Sequence, residues 1–200
     1  MIALALAHVV LGEDEVSSVT QAIEHMLRDD RVTEAETKSL LRHGPPVIRR
    51  LGTFSESQAA QELRKSIELR YEAVKSGAYE DAHHAINYFR DAGADQFVVL
   101  GLRHPSARIR SEAIVAIEKI ATPRVFGDLI DGYDFLRKHE LRLDDGEEIA
   151  ASRMDGLRLL AVMKHVLDEL DVQTPDPMQE SDAFLESCRS WWRERQGHRS

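Results

Sequence analysis

The chain is poor in the residues that would staple it or build a thiolate site. Cys188 is the one cysteine in 200 residues, so no internal disulfide can form and a multi-cysteine metal centre is excluded. No apolar run reaches the roughly eighteen residues that a membrane-spanning helix requires. Alternating apolar and polar runs bounded by Asn-Gly or Asp-Gly turns are missing, so strands are not expected. There is no Gly-rich phosphate loop, no Gly-x-Ser-x-Gly and no His-Glu-x-x-His, which removes the signatures of P-loop enzymes, serine hydrolases and zinc proteases. Positive charge is the minority sign. The formal net charge is −9, and acidity of that size repels phosphate backbones and anionic membranes unless a local basic patch overrides it.

What remains is a foldable, helix-favouring chain, with 42% apolar and 30% charged residues. Its six prolines leave long uninterrupted stretches. Val16, Val19, Ile23, Met26 and Leu27 form one helical stripe. Thr33 with Glu36 has the spacing of a capping box for a short helix that uses Leu40 and Leu41, and Gly44-Pro45-Pro46 reads as its end. Residues 55–75 read as a long helix with Ala59, Ala60, Leu63, Ile67, Leu69, Tyr71 and Val74 inside, stopped at Gly77. Two short helices broken near Gly93 follow, then a helix in "HPSARIRSEAIVAIEKIA". Thr122-Pro123 opens the next, with Thr as N-cap and Pro at the first helical position. "RKHELRLDDGEEI" reads as a loop that runs into an acidic first turn, Glu147-Glu148. The helix after it carries Ile149, Met154, Leu157, Leu160, Ala161, Leu167 and Leu170 on its apolar side. A last helix covers about 181–195.

The side chains that could carry chemistry are few. His83 and His84 are adjacent and point to different sides of a helix. His165 and Glu169 can share a face, and His139-Glu140 is the one adjacent His-Glu pair. A catalytic zinc needs three protein ligands, so no metal and no cofactor is assigned. Cys188 next to Arg189 has a cation that can lower a thiol pKa, but no sequence-adjacent base, and no catalytic residue is assigned. "LDDGEE" lacks the alternating spacing of a calcium loop. "RSWWRERQGHRS" combines Trp191 and Trp192 with arginines. Adjacent tryptophans on a helix differ by about 100°, so one packs inward and the other is left for Arg195 to stack on. The ending serves as a terminal cap or as an aromatic and basic patch for a partner.

The chain also repeats itself. A shift of 28 residues lays Ala85-Ile86 on Ala113-Ile114, Phe89 on Ile117, Ala92 on Ile120, Phe97 on Val125, Val98 on Phe126 and Leu102 on Ile130. The unit is helix, break, helix, and neither helix has enough apolar surface to fold alone, so units must stack. "LRHPSARIRSEAIVAIEKIATPRVFGDLI" resembles the HEAT-repeat family, in particular its short bacterial form. Pro105, Ile109-Arg110, Ala113, Ile117, Ile120, Pro123 and Val125 occupy the family's places. His104 stands where Asp is usual, which predicts a weaker N-cap. The match covers about residues 78–135, with only helix pairs to compare elsewhere.

The resemblance implies an all-α fold, an α-solenoid of about four or five stacked antiparallel helix pairs in one domain over residues 1–200. It implies a non-enzymatic protein-interaction or scaffold module, with another protein as partner. HEAT-like lyases, hydrolases and DNA-binding proteins are the alternatives. In such a solenoid the second helices line the concave face, which singles out Arg124, Asp128 and Asp131 for a partner. Trp192 and Arg195 are added from the C-terminal patch. Arg108 and Arg110 read as a solvated neighbour and a residue between stacked units. Residues 1–12, "MIALALAHVVLG", are expected to form a short capping helix in a cytoplasmic protein. If they are the remnant of a signal peptide, the protein is exported.

Overall fold

The structure is a computed structural model that describes residues 13–28, 32–140 and 146–197. The capping-helix or signal reading of residues 1–12, and the stretch 141–145 of the charged loop, lie outside the described residues. Among the described residues every regular element is helical. The chain divides into two compact units, Met1–Leu69 and Arg70–Ser200, and the division falls within one long helix.

The first unit holds α1 (Glu13–Arg28), α2 (Glu34–Leu41), α3 (Pro46–Leu51) and the beginning of α4 (Gln58–Ser76). Val19, Ile23 and Met26 of α1 are buried with Leu40, Leu41, Val47 and Leu51. The start of α2 is the expected capping box. Thr33 accepts from the Glu36 amide, and the Glu36 carboxylate accepts from the Thr33 amide at 3.0 Å. Gly44 ends the turn with φ 77°, a conformation that suits glycine. The Gly-Pro-Pro stretch does more than terminate, because Pro46 is the first residue of α3. A proline blocks the continuation of one helix and fits the first position of the next, where its missing N–H is not needed. Arg50 of α3 donates from Nε to the Thr20 hydroxyl of α1 at 2.7 Å.

The second unit holds the end of α4 and α5 (Tyr79–Asp91), α6 (Asp95–Val98), a 3-10 turn at Val99–Arg103, α7 (Ala107–Ile117), a second 3-10 turn at Pro123–Val125, α8 (Phe126–Glu140), α9 (Gly146–Asp168) and α10 (Ser181–Gly197). The expected break at Gly93 is present, with φ 68°. Thr122 caps the second 3-10 turn by accepting from the Arg124 amide. Most residues matched by the 28-residue shift are core residues on both sides, Ala85, Ile86, Phe89, Phe97, Val98 and Leu102 on one and Ala113, Ile114, Ile117, Val125, Phe126 and Ile130 on the other; the exception is the pair Ala92 and Ile120, of which Ala92 is buried and Ile120 only half-buried. Helices α5, α7 and α9 pack in succession along one side, and the Val99–Arg103 turn, α8 and α10 along the other. The copies differ in their second element, which is four helical residues and a 3-10 turn in the first and a fifteen-residue helix in the second.

Several expectations are corrected. Arg137 to Glu140 belong to α8 and not to a loop. Leu69 is 74% exposed, Met154 56% and Leu157 40%, so they are not core residues. Helix α9 buries Leu159, Leu160, Val162, Met163, Val166 and Leu167 instead. A 3.6-residue period marks a stripe without saying which of two neighbouring stripes faces inward. The weaker N-cap expected from His104 is present, since Ser106 is the N-cap residue of α7 and no side chain makes a capping hydrogen bond there. His104 Nδ1 accepts from the Ser106 amide at 3.0 Å while Nε2 lies 3.1 Å from the Gly77 carbonyl oxygen. One ring nitrogen accepts and the other donates, which selects the Nε2–H tautomer. The imidazole therefore holds the turn that precedes α7 and ties it to the end of α4.

Candidate functional site

The residues expected at a partner face lie on two helices of the second unit. Arg124 is in the Pro123–Val125 turn, and Asp128 and Asp131 follow along α8; all three are exposed. Asp131 accepts from Arg103 Nη2 at 2.6 Å, and these residues stand 28 positions apart, so the ion pair joins equivalent ends of the two copies. Asp128 is exposed by area, yet its carboxyl is crowded enough for desolvation, with Asp131 and Asp95 adding, to raise its pKa against the pull of Arg103. The outcome is a short surface of mixed sign, Arg103, Asp131, Asp128 and Arg124, with both acids close to Arg103. Phosphate binding calls for a denser basic cluster.

Trp192 joins this surface from α10. It is half-buried, and a Cβ built on Gly127 would lie 2.8 Å from its indole, so the glycine exists to let the ring approach α8. Trp191 meets Phe126 edge-on, with ring centres 4.9 Å apart. Arg195 lies over Trp191 at 5.2 Å and not over Trp192. Both tryptophans are half-buried, and Arg189 of the same helix donates to Asp134 of α8 at 2.7 Å. The expected division into one inward and one outward indole is therefore not seen; α8 receives both.

A second constellation went unseen in the sequence. Glu112 of α7 gathers donors from α5. The Tyr79 hydroxyl donates to Oε1 at 2.6 Å, and His83 Nδ1 lies 2.7 Å from Oε2. Arg108 stands 3.7 Å away on the same helix and places its guanidinium 4.0 Å over the Tyr79 ring. Asn87 Nδ2 sits 3.1 Å from His83 Nε2. Burial pushes the Glu112 carboxyl up, and the bonds from Tyr79 and His83 with the Arg108 charge outweigh it, so the net pKa is lowered. The bond to Glu112 raises the Tyr79 pKa, with burial adding. The carboxylate is thus held charged with both oxygens engaged, a bridge between helices. The 28-residue shift contained a clue, because it places His83 opposite Ser111, beside Glu112.

Two buried carboxylates make similar bridges. Asp95 accepts from both the amide and the hydroxyl of Thr122, at 3.0 and 2.6 Å. Asp155 of α9 accepts from the Ser111 hydroxyl of α7 at 2.5 Å. Burial raises the pKa of each and the hydrogen bonds oppose it.

An open concavity of about 520 Å³ lies along the end of α9, lined by Ala161, Lys164, His165, Asp168, Thr174, Asp176, Pro177 and Met178. Its charges pair among themselves and their neighbours: Lys164 with Asp168, and His165 with Glu169 at 3.3 Å. Cys188 is buried in α10, and burial raises its thiol pKa to about 12 despite Arg189. Among the described residues no group of three or more His, Cys, Asp or Glu is placed to hold a metal ion, and no helix is long and apolar enough to cross a membrane. No protein-family model, curated protein or solved structure matches the chain.

Proposed function

We propose that the chain is a non-enzymatic protein-interaction module, an α-solenoid of the HEAT-repeat type that works in the cytoplasm. The observation that supports this reading is the 28-residue correspondence. Ala85, Ile86, Phe89, Phe97, Val98 and Leu102 and their counterparts are buried, and the helices they lie on pack in two rows, as stacked repeats would. Stacked rows leave the second helices to present side chains to a ligand protein. Here that surface is Arg124, Asp128 and Asp131 with Trp192 at its edge and Arg195 beyond it. The half-buried indole and the arginines are the residue types that carry most binding energy at protein interfaces, and the mixed charges give register and specificity.

A photocrosslinking residue at position 128 in native cells tests the reading. It expects one protein to be captured, and the purified pair to bind in titration. The double variant Arg124→Glu/Asp128→Arg should weaken that binding at least about tenfold, which is about 1.4 kcal/mol, with an unchanged circular dichroism spectrum. No capture at this position, or binding indifferent to the double variant, overturns the assignment of this face.

A further inference from the structure

The outer side of α9 carries an apolar stripe that the fold leaves uncovered. Ala150, Met154, Leu157 and Ala161 recur at steps of four, three and four, so they share one face of the helix. All four are exposed, Met154 and Leu157 as large side chains, while Leu159, Leu160, Met163 and Val166 turn to the core. Apolar patches rimmed by charge mark interaction surfaces.

The stripe is symmetric about its own middle. The midpoint between Met154 and Leu157 is also the midpoint between Ala150 and Ala161. A two-fold axis through that point, perpendicular to α9 and lying in the contact plane, sets a second α9 antiparallel to the first. Met154 then meets the second copy's Leu157, and Ala150 its Ala161, so each large residue faces a large one and each small residue lets the helix ends approach. Self-complementarity of this kind is what a two-fold interface requires. A partner of unrelated sequence would have no need of it.

The charged edges fit the same operation. Helical geometry puts Arg153 and Arg158 on opposite flanks of the stripe. Arg153 pairs with Glu140 of α8 at 2.7 Å, and Arg158 with Glu118, just past α7, at 3.9 Å. The rotation keeps each flank on its own side and reverses it. Each Arg-Glu pair therefore lies beside a reversed copy of itself, and each arginine keeps the carboxylate it already has within its own chain.

We propose that the chain forms a two-fold homodimer through antiparallel packing of α9 on α9. This goes beyond the partner face on α8 and does not depend on it. The stripe is short, so the dimer belongs to the small, reversible class of interfaces and not to the obligate one.

Sedimentation velocity on the full chain, from about 1 µM to about 200 µM, is the test. The mass should rise with concentration from 22.7 kDa toward twice that value. Met154→Glu/Leu157→Glu should weaken association at least about tenfold without changing the melting temperature, because both side chains are already in water. Register is checked by mixing a tagged Ala150→Cys chain with an untagged Ala161→Cys chain under mild oxidation. The mixed disulfide should form quickly. Ala150→Cys alone should not cross-link, since those positions stand about 16 Å apart along an antiparallel pair. A monomer at every concentration overturns the proposal. So does a dimer indifferent to the two glutamates, or an Ala150→Cys homodimer that cross-links as fast as the mixture.

Discussion

Tyr79 on α5 donates its phenolic hydrogen to Glu112 on α7 across 2.6 Å, and His83, one turn along α5, meets the other oxygen of the same carboxylate at 2.7 Å. A single acid thus clamps two neighbouring helices. Glu112→Gln should lower the melting temperature at neutral pH, because a charge-assisted pair of bonds is replaced by neutral ones. The sign with pH follows from the lowered carboxyl pKa. A depressed pKa contributes stability that is present above the unfolded-state value of about 4.5 and is lost as pH falls through the folded-state value. Thermal melts from pH 7 to pH 3 should show the gap between wild type and Glu112→Gln wide at the top of that range and closing below pH 4.5. A gap independent of pH would mean that the carboxylate charge contributes nothing.

Arg110 should behave as a structural arginine. It is 3% exposed, donates from Nη1 to the carbonyls of His104 and Pro105, both at 2.8 Å, and faces the Phe135 ring at 5.9 Å. Arg110→Ala strands carbonyls that a charged donor had satisfied, and should cost about 2–4 kcal/mol in denaturant unfolding. Arg108→Ala, an exposed change, should cost well under half of that. Equal effects would contradict the assignment.

Two helical glycines should respond in opposite directions to alanine. At Gly127 a Cβ would fall 2.8 Å from the Trp192 indole, so Gly127→Ala must displace the ring and should destabilise by about 1–3 kcal/mol, with a shift in tryptophan emission. At Gly156 the nearest atom to a Cβ is a Tyr133 ring carbon at 3.5 Å, an ordinary contact. Gly156→Ala should therefore stabilise by up to about 1 kcal/mol through helix propensity. Unfolding midpoints of the two variants decide the matter.

Cys188 should be silent toward thiol reagents in the folded protein. Its thiol is buried and its pKa is pushed up to about 12, so almost no thiolate is available at pH 8. Ellman's reagent should react slowly with native protein and at the rate of a free thiol in denaturant. Fast reaction of the native chain would place the sulfur in solvent.

Much of this architecture was legible from local chemistry. Thr33 with Glu36, Thr122 with Pro123, and the breaks at Gly44 and Gly93 act over three or four residues, so neighbouring letters suffice to read them. The 28-residue spacing of Ala85, Phe89 and Phe97 with Ala113, Ile117 and Val125 was likewise visible, because a repeated burial pattern leaves a repeated apolar pattern. Within the candidate face, Arg124, Asp128 and Asp131 were found as polar positions on a helix whose apolar side was already taken.

The remainder depends on distances that the linear chain does not encode. That Glu112 receives Tyr79 and His83, that Asp95 reaches Thr122, and that His104 meets the Gly77 carbonyl are pairings across the fold, and a side chain has no local mark for its partner across a gap. The inward face of α9 was decided the same way. Its period is compatible with either Met154 and Leu157 or Leu159 and Met163 against the core. Packing on α7 and α8 selects the second set, since Asp155 must reach Ser111 and Gly156 must sit under Tyr133. The sequence by itself determines that the described residues are helical, where most of the helices begin, and that an apolar pattern recurs at a spacing of 28 residues. Tertiary structure alone determines which stripe of each helix is left to water, because that choice is settled by the neighbouring helix and not by the residues of the stripe.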